Sequence, residues 1–495
     1  MKIIFSPPAV TLGDSTHHSL AAAGNIRVAD QAITQLRSSL NGTSEKQTLL
    51  LKAAAGAGKS YVLRKLVADA IQQPQCVRVL VIAFTNKQIW TLADALGKEI
   101  GKGKVYLYSS KSKFTDALEA VKGATVVDSA KSIPNDVPVV LTTSHLSGSL
   151  SVRAIYKNNL SASHHSDFPF DVMFVDEAWQ LPHHLFDNVT YAAPIVVGVG
   201  DVGQLPPLEI GTNPWRGDEG FNPYRAWPIN YLENKNTWSE ELPTVWRPCH
   251  EQLALWRAFY PEWKELNSVS APGDRSIELQ SLKGISKAIW EQVSTGIPTL
   301  VEVSGLPEAE AADVDLPLIH FAESLLDDLF ASGFSLVETK YDDFGSALDK
   351  PSRNSLRSIS SDPKVTILAT RNQTVDDASD AVERLREKHD LVDSDLISST
   401  VDSWQGQTNG ITLAIHPLTG AMELDEFNSA FGRLAVTCTR ATHGLLMLSR
   451  PGLDDLLNKA PVRPGTPMGE PGNRQLPRQT HQRILSTFAR VTIEV

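Results

Sequence analysis

Three short stretches of this chain bring together residue types that could handle a phosphorylated substrate. Ala53-Ala54-Ala55-Gly56-Ala57-Gly58-Lys59-Ser60 follows an apolar run and precedes an amphipathic one. Small residues let backbone N–H groups converge on phosphate oxygens, and the start of the following helix adds a positive end. Gly56, Ala57 and Gly58 would form the cradle, Lys59 would reach the β- and γ-phosphates, and Ser60 would ligate Mg²⁺. Ala53 stands where such a loop usually begins with Gly. Further on, Phe174-Val175-Asp176-Glu177 ends an apolar run in two carboxylates. Asp176 suits the magnesium, through water, and Glu177 suits polarising an attacking water. Such a pair alone is common at strand ends; behind a phosphate loop it indicates nucleoside triphosphate hydrolysis. Gly200-Asp201-Val202-Gly203-Gln204-Leu205-Pro206-Pro207 closes a third apolar run, with Gln204 placed to sense a γ-phosphate.

The elements that must hold these residues are legible as alternation. Leu49–Leu51, Val79–Ile82, Val139–Leu141, Val172–Val175, Ile195–Val197 and Val365–Leu368 are short and, Thr366 apart, apolar, as strands of a parallel sheet covered on both faces are. Between the first two, Val62, Leu63, Leu66, Val67 and Ala70 fall on one face of a helix. The pattern is that of βα units and predicts an α/β protein. At 495 residues the chain suits about three compact units of roughly 150 residues. A net charge of −11 argues against a surface that coats nucleic acid everywhere and leaves room for a local basic groove. Cys76, Cys249 and Cys438 are too far apart for a disulfide framework or a Cys-rich zinc site and fit a reducing compartment. With no apolar stretch of about 20 residues, the expectation is a soluble, cytoplasmic protein without a membrane partner.

With its motifs in order, the sequence resembles superfamily 1 helicases, and within them the 1B branch. Ala83-Phe84-Thr85-Asn86-Lys87 is similar to motif Ia, Leu141-Thr142-Thr143-Ser144 to motif Ic, and Asp176-Glu177-Ala178-Trp179-Gln180 to motif II. The Gly200–Pro207 segment resembles motif III, and Val245-Trp246-Arg247-Pro248 motif IV. Thr400-Val401-Asp402-Ser403-Trp404-Gln405-Gly406 resembles motif V, and Arg433 to Ala441 motif VI. The resemblance implies two tandem RecA-like parallel-sheet domains with small insertions, an ATP cleft between them and single-stranded nucleic acid across the top. It implies that Gln31 reads adenine, that Trp246 stacks on it in place of the usual Tyr, and that the second domain supplies Arg247 and Arg440 to the γ-phosphate. The nucleic-acid contacts it implies are Thr85, Asn86, Lys87, Thr142, Thr143, Thr400, Asp402 and Ser403. Trp404 reads equally as a stacking ring or as a core aromatic.

On this reading residues 1–237 form the first RecA-like domain, 238–450 the second, and 451–495 a Pro/Gly-rich tail with a terminal amphipathic segment. That last piece either folds back on the body or docks a protein partner. The 111–138 interval leaves room for a small hairpin or helix in place of the barrel that splits duplexes in many relatives, and 342–363 reads as a surface insertion. Thr408 stands where the family usually keeps an acidic ribose contact. The function expected is an ATP- and Mg²⁺-dependent helicase or translocase moving 5′ to 3′ on single strands, DNA favoured over RNA. The alternative is an ATP-switched clamp or regulatory subunit that grips nucleic acid without unwinding it.

Overall fold

The computed structural model describes residues 3–160, 167–203, 207, 222–261, 263, 265–311, 313–425, 427–460 and 477–495. Two parallel sheets dominate, and the apolar runs form their centres. The first has eight strands in the order Thr125–Val127, Val105–Tyr108, Val139–Thr143, Val79–Ala83, Val172–Asp176, Ile195–Asp201, Thr48–Ala53 and Thr237–Leu242. The second has six, in the order Leu396–Thr400, Val365–Ala369, Asn409–Ile415, Ala441–Ser449, Thr299–Ser304 and Ala489–Glu494. Every neighbouring pair within each sheet is parallel. These are the two RecA-like α/β domains.

Side chains alternate between the two faces of a strand, and the cores follow that rule. In the first sheet Leu49, Leu51, Val79, Val81 and Leu141 enter one core, whereas Leu50, Leu80, Ile82, Val140 and Met173 enter the other. In the second sheet Val365, Ile367, Leu413 and Leu446 face a third core. Their neighbours Leu368, Ala414, Leu445 and Met447 join Leu49 and Leu51 in the first. One apolar core is thus continuous between the lobes, filled by Leu253, Trp256, Leu434 and Ile484 from three helices. The helix Lys59–Ala70 buries Val62, Leu63, Leu66, Val67 and Ala70, the face its periodicity predicts.

Four expectations about chain organisation need correction. The strand Thr237–Leu242 pairs along its whole length with Thr48–Ala53, so the 237/238 division falls before the first sheet's own edge strand. Thr244–Val245 then pairs with Asn267–Ser268 beside that sheet. The 111–138 interval is no separate insertion: its helix Phe114–Ala120 leads into Thr125–Val127, a further parallel strand of the first sheet. Part of 342–363, the strand Ser352–Ser355, closes a three-stranded antiparallel sheet with Arg275–Leu279 and Phe334–Glu338, next to the cleft. Lastly, 451–495 is not simply a tail. Residues 461–476 lie outside the described ones, but the helix Pro477–Leu485 leads to Ala489–Glu494, the edge strand of the second sheet. Ser6 exchanges both backbone hydrogen bonds with Arg490 (2.8 and 3.0 Å), so the start of the chain rests on the second lobe. Composition hid this, because a two-residue bridge and an edge strand carry little apolar periodicity.

Candidate active site

The phosphate loop lies at the carboxyl end of Thr48–Ala53, where ligands bind in open parallel sheets. Gly56 and Gly58 have φ of 74° and 87°, a left-handed backbone that glycine adopts without strain. A Cβ on Gly56 would come within 2.4 Å of the Arg247 Cβ, so that position also needs the absent side chain. The loop is pinned from behind. Asn25 donates to the Ala57 carbonyl (2.9 Å) and Trp256 Nε1 to the Ala55 carbonyl (2.9 Å). The Tyr260 hydroxyl accepts from the Ala55 N–H (3.0 Å) and donates to Asp201 Oδ1 (2.8 Å).

Lys59 Nζ reaches across to the Glu177 carboxylate at 2.8 Å. Glu177 has φ of 49°, an uncommon conformation for a non-glycine residue and one that turns its side chain toward the loop. Asp176 is buried beside it. Loss of solvent, and then the Glu177 charge, raise the Asp176 carboxyl to about 7 against the pull of Lys59. Burial also raises Asp201.

The facing wall carries three guanidinium groups. A cavity of about 440 Å³ is lined by Lys59, Ser60 and Glu177 on one side and by Arg247, Arg275 and Arg440 on the other. Arg440 is 0 % exposed. Its Nη2 donates to Thr439 Oγ1 (3.1 Å), while Nε and Nη1 have no hydrogen-bond partner. Burial lowers its pKa, and the Asp201 charge resists that shift. Arg247 donates to the Thr439 carbonyl (3.0 Å), and burial with the nearby Arg440 charge pushes it down to about 9. Arg440 directly precedes the Ala441–Ser449 strand of the second sheet. Arg247 does not come from that sheet: it lies two residues past the Thr244–Val245 strand beside the first. The Trp246 N–H donates to the Gly56 carbonyl (2.7 Å), which sets this segment against the loop itself.

A second cavity of about 290 Å³ adjoins the first at Gly58 and Trp246, with Asn25, Tyr61, Lys65 and Tyr341 around it. Gln31 is not there. It is exposed on the helix His18–Leu40 and faces a surface depression with Trp238 and Glu240. One register position on a helix decides this, and sequence spacing could not see it. Gln204 lies outside the described residues. Sequence reading missed Asn25, Arg275, Tyr260 and Tyr341, which carry no motif and reach the site only through tertiary folding.

The expected nucleic-acid residues sit at the carboxyl ends of strands in both sheets. Thr85 is exposed and caps the helix Asn86–Ile100, in a reciprocal pair with Gln88. Gln88 also donates to Gln180 Oε1 (3.1 Å), linking that helix to the turn after Glu177. Asn86 and Lys87 open the helix, and Phe84 lies 5.6 Å from the exposed His145 ring. Thr143 caps the short helix Ser144–Ser147. Thr142 is 0 % exposed within its strand, so its side chain does not reach the surface; the pleat turns it inward. Thr400 Oγ1 and Ser403 Oγ are 2.8 Å apart, and Asp402 pairs with Arg433 at 3.2 Å. Trp404 packs against the shared core and donates to Asn409 Oδ1 (3.0 Å), which favours its structural reading.

Residues 36–209 match a family described as AAA domain (AAA_19). No curated protein matches the chain. Among solved structures it is similar to a PRRSV helicase (14% identity, TM-score 0.37, covering 84% of this chain and 56% of that one). It is also similar to Arterivirus nonstructural protein 10 (helicase), at 14% identity and TM-score 0.39, covering 87% and 63%. The same protein in complex with DNA gives 15% identity and TM-score 0.38, covering 87% and 65%. The chain spans less than two thirds of the length of each. Among the described residues, no helix is long and apolar enough to cross a membrane.

Proposed function

We propose that this chain is a nucleic-acid-dependent ATPase that works as a helicase or translocase on single strands inside the cell. The observation that carries the reading is Arg440: a buried guanidinium with two unpartnered nitrogens, in the same cavity as Lys59 and Glu177. Burying such a group without partners costs stability, so its natural complement is an anion entering that cavity. The proposed lobes divide near residue 270, with residues 3–10 belonging to the second.

In this mechanism Lys59 exchanges Glu177 for the β- and γ-phosphates. Glu177, released, accepts a proton from the attacking water, while Arg247 and Arg440 neutralise charge growing on the γ-phosphate. Ser60 and Asp176 are the residues that would hold Mg²⁺, and the buried Asp176 carboxyl fits that role. When bound, the ion would neutralise phosphate charge. Arg247 contacts the Thr439 carbonyl, one residue before Arg440, so release of phosphate would be felt at the start of a second-sheet strand. Gln88–Gln180 would carry the same event to the Thr85–Lys87 contacts. Movement 5′ to 3′ and DNA as the preferred track are part of the proposal, as is a base-neutral grip through hydroxyl and amide groups. A protein partner recruited through the C-terminal region is part of the proposal, with Ala489–Glu494 engaged as an edge strand of the second sheet.

The test is ATP hydrolysis measured with single-stranded DNA and RNA side by side. Stimulation by either that disappears in Lys59→Ala supports the reading; turnover unaffected by that substitution refutes it. The clamp reading keeps one favouring observation: the 111–138 interval is absorbed into the first sheet and offers no wedge. Clear strand separation of a 5′-tailed duplex by the isolated chain would exclude it.

A further inference from the structure

We propose that the cavity beside Trp246 is the base site, and that it takes guanine at least as readily as adenine. This rests on the nucleotide reading above and concerns which triphosphates that site accepts. The cavity meets the phosphate cavity at Gly58 and Trp246, so a ligand with its phosphates at Lys59 puts its base there. Both lobes build it. The Tyr61 ring comes from the helix after the phosphate loop, and its hydroxyl donates to Asp343 Oδ2 (3.1 Å) on the opposite side. The Trp246 and Tyr341 rings meet nearly edge to face, with centroids 6.5 Å apart, which gives an apolar wall for a flat ring.

The polar groups decide what the edge of that ring must look like. Adenine is read best by a carboxamide, which pairs with the amino group and the neighbouring ring nitrogen together. No glutamine lines this cavity, Gln31 faces elsewhere, and the one carboxamide among the residues lining it, Asn25, is committed to the backbone of Ala57 and Thr244. What lines it are Asp30, Asp342 and Asp343, and the Lys65 ammonium, which lies 4.5 Å from the Tyr61 ring centroid. Asp342 Oδ1 is engaged with the Phe344 and Ser346 N–H groups (2.9 and 2.8 Å). With Asp343 Oδ2 taken by Tyr61, the acceptors that remain are Asp343 Oδ1, Asp342 Oδ2 and Asp30, and Lys65 is the donor. Guanine offers the matching set: adjacent N1–H and N2–H donors for a carboxylate, and O6 and N7 acceptors for an ammonium. Adenine also has ring nitrogens that can accept from the ammonium, but it offers a carboxylate only its amino group, beside the N1 acceptor, in place of two adjacent donors. Uracil flanks its single N–H with two carbonyl oxygens, which a carboxylate repels.

Displacement of a ribose-labelled fluorescent ATP analogue from the full chain tests this, using ATP, GTP, UTP and inorganic tripolyphosphate as competitors. The expected result is that GTP competes at concentrations no higher than ATP, and that UTP needs about tenfold more, within the range one paired contact confers. Asp343→Asn should move the GTP-to-ATP ratio toward ATP by about tenfold, and Gln31→Ala should leave it where it was. An ATP preference of tenfold over GTP, or a ratio that collapses in Gln31→Ala, overturns the inference. Tripolyphosphate displacement, and its loss in Lys59→Ala, reports the phosphate site separately. If that holds while the base ranking fails, only the base assignment is wrong; if tripolyphosphate does not displace, both assignments fall.

Discussion

Arg440→Met should make the protein more stable and nearly inactive at once. Without nucleotide the guanidinium is fully buried, makes one hydrogen bond to Thr439 and leaves Nε and Nη1 unpartnered. Each unpartnered polar group of this kind costs about 1–3 kcal/mol, and the Asp201 charge offsets part of that. Methionine is of similar length and carries no polar hydrogens. Replacing poorly satisfied buried charge by a well-packed apolar side chain commonly gains about 1–4 kcal/mol. A gain of about 1 kcal/mol raises the unfolding midpoint of a lobe this size by roughly 2–4 °C. In the hydrolysis transition state the same guanidinium would face a doubly charged phosphoryl group, where an arginine is worth roughly 10³–10⁵ in rate. The assay pairs thermal unfolding of the nucleotide-free protein with single-strand-stimulated ATP turnover at saturation. A variant that melts earlier than the parent and turns over within about threefold of it would show Arg440 to be a structural residue, and the motor mechanism would lose its main support.

Three further outcomes follow from particular contacts. Glu177→Gln removes the charge that holds Lys59 at 2.8 Å, so triphosphate affinity should rise several-fold while turnover falls by roughly 10²-fold or more; weaker binding in equilibrium titration would refute the lock. Deleting 477–495 strips the strand Ala489–Glu494 from the second sheet and exposes the edge of Thr299–Ser304, so the shortened chain should unfold earlier and aggregate; an unchanged melting curve would restore the tail interpretation. His481, buried 6.1 Å from the His416 ring, is held down to about 4 by burial. The unfolded chain takes up that proton near pH 6.5, so stability is lost as pH falls from about 6.5 toward 4, by about 2 kcal/mol between pH 7 and pH 5. Denaturant titrations should show that His481→Leu loses correspondingly less over this interval.

Much of the site was readable in order along the chain. Ala53–Ser60 and Asp176–Glu177 depend on local rules: a loop that must be glycine-rich to approach phosphate, and strands that must be apolar because both faces are covered. Those rules operate within a dozen residues, so the strands, the helix Lys59–Ala70 and the identity of Lys59 and Glu177 needed no tertiary information. Folding decided what lies next to them. Gln31 and Asn25 share one helix, yet its rotation brings Asn25 to the phosphate loop and leaves Gln31 at the surface. Thr142 and Thr143 are neighbours and both are buried, yet only the second, at the strand end, caps a helix. Arg275 and Tyr341 belong to segments without a motif, and an antiparallel sheet and its connecting loop carry them to the cleft. The two ends of the chain show the same limit. Ser6 and Arg490 meet through backbone hydrogen bonds, which every residue offers alike, so nothing in the side-chain pattern marks that pairing before the sheet exists.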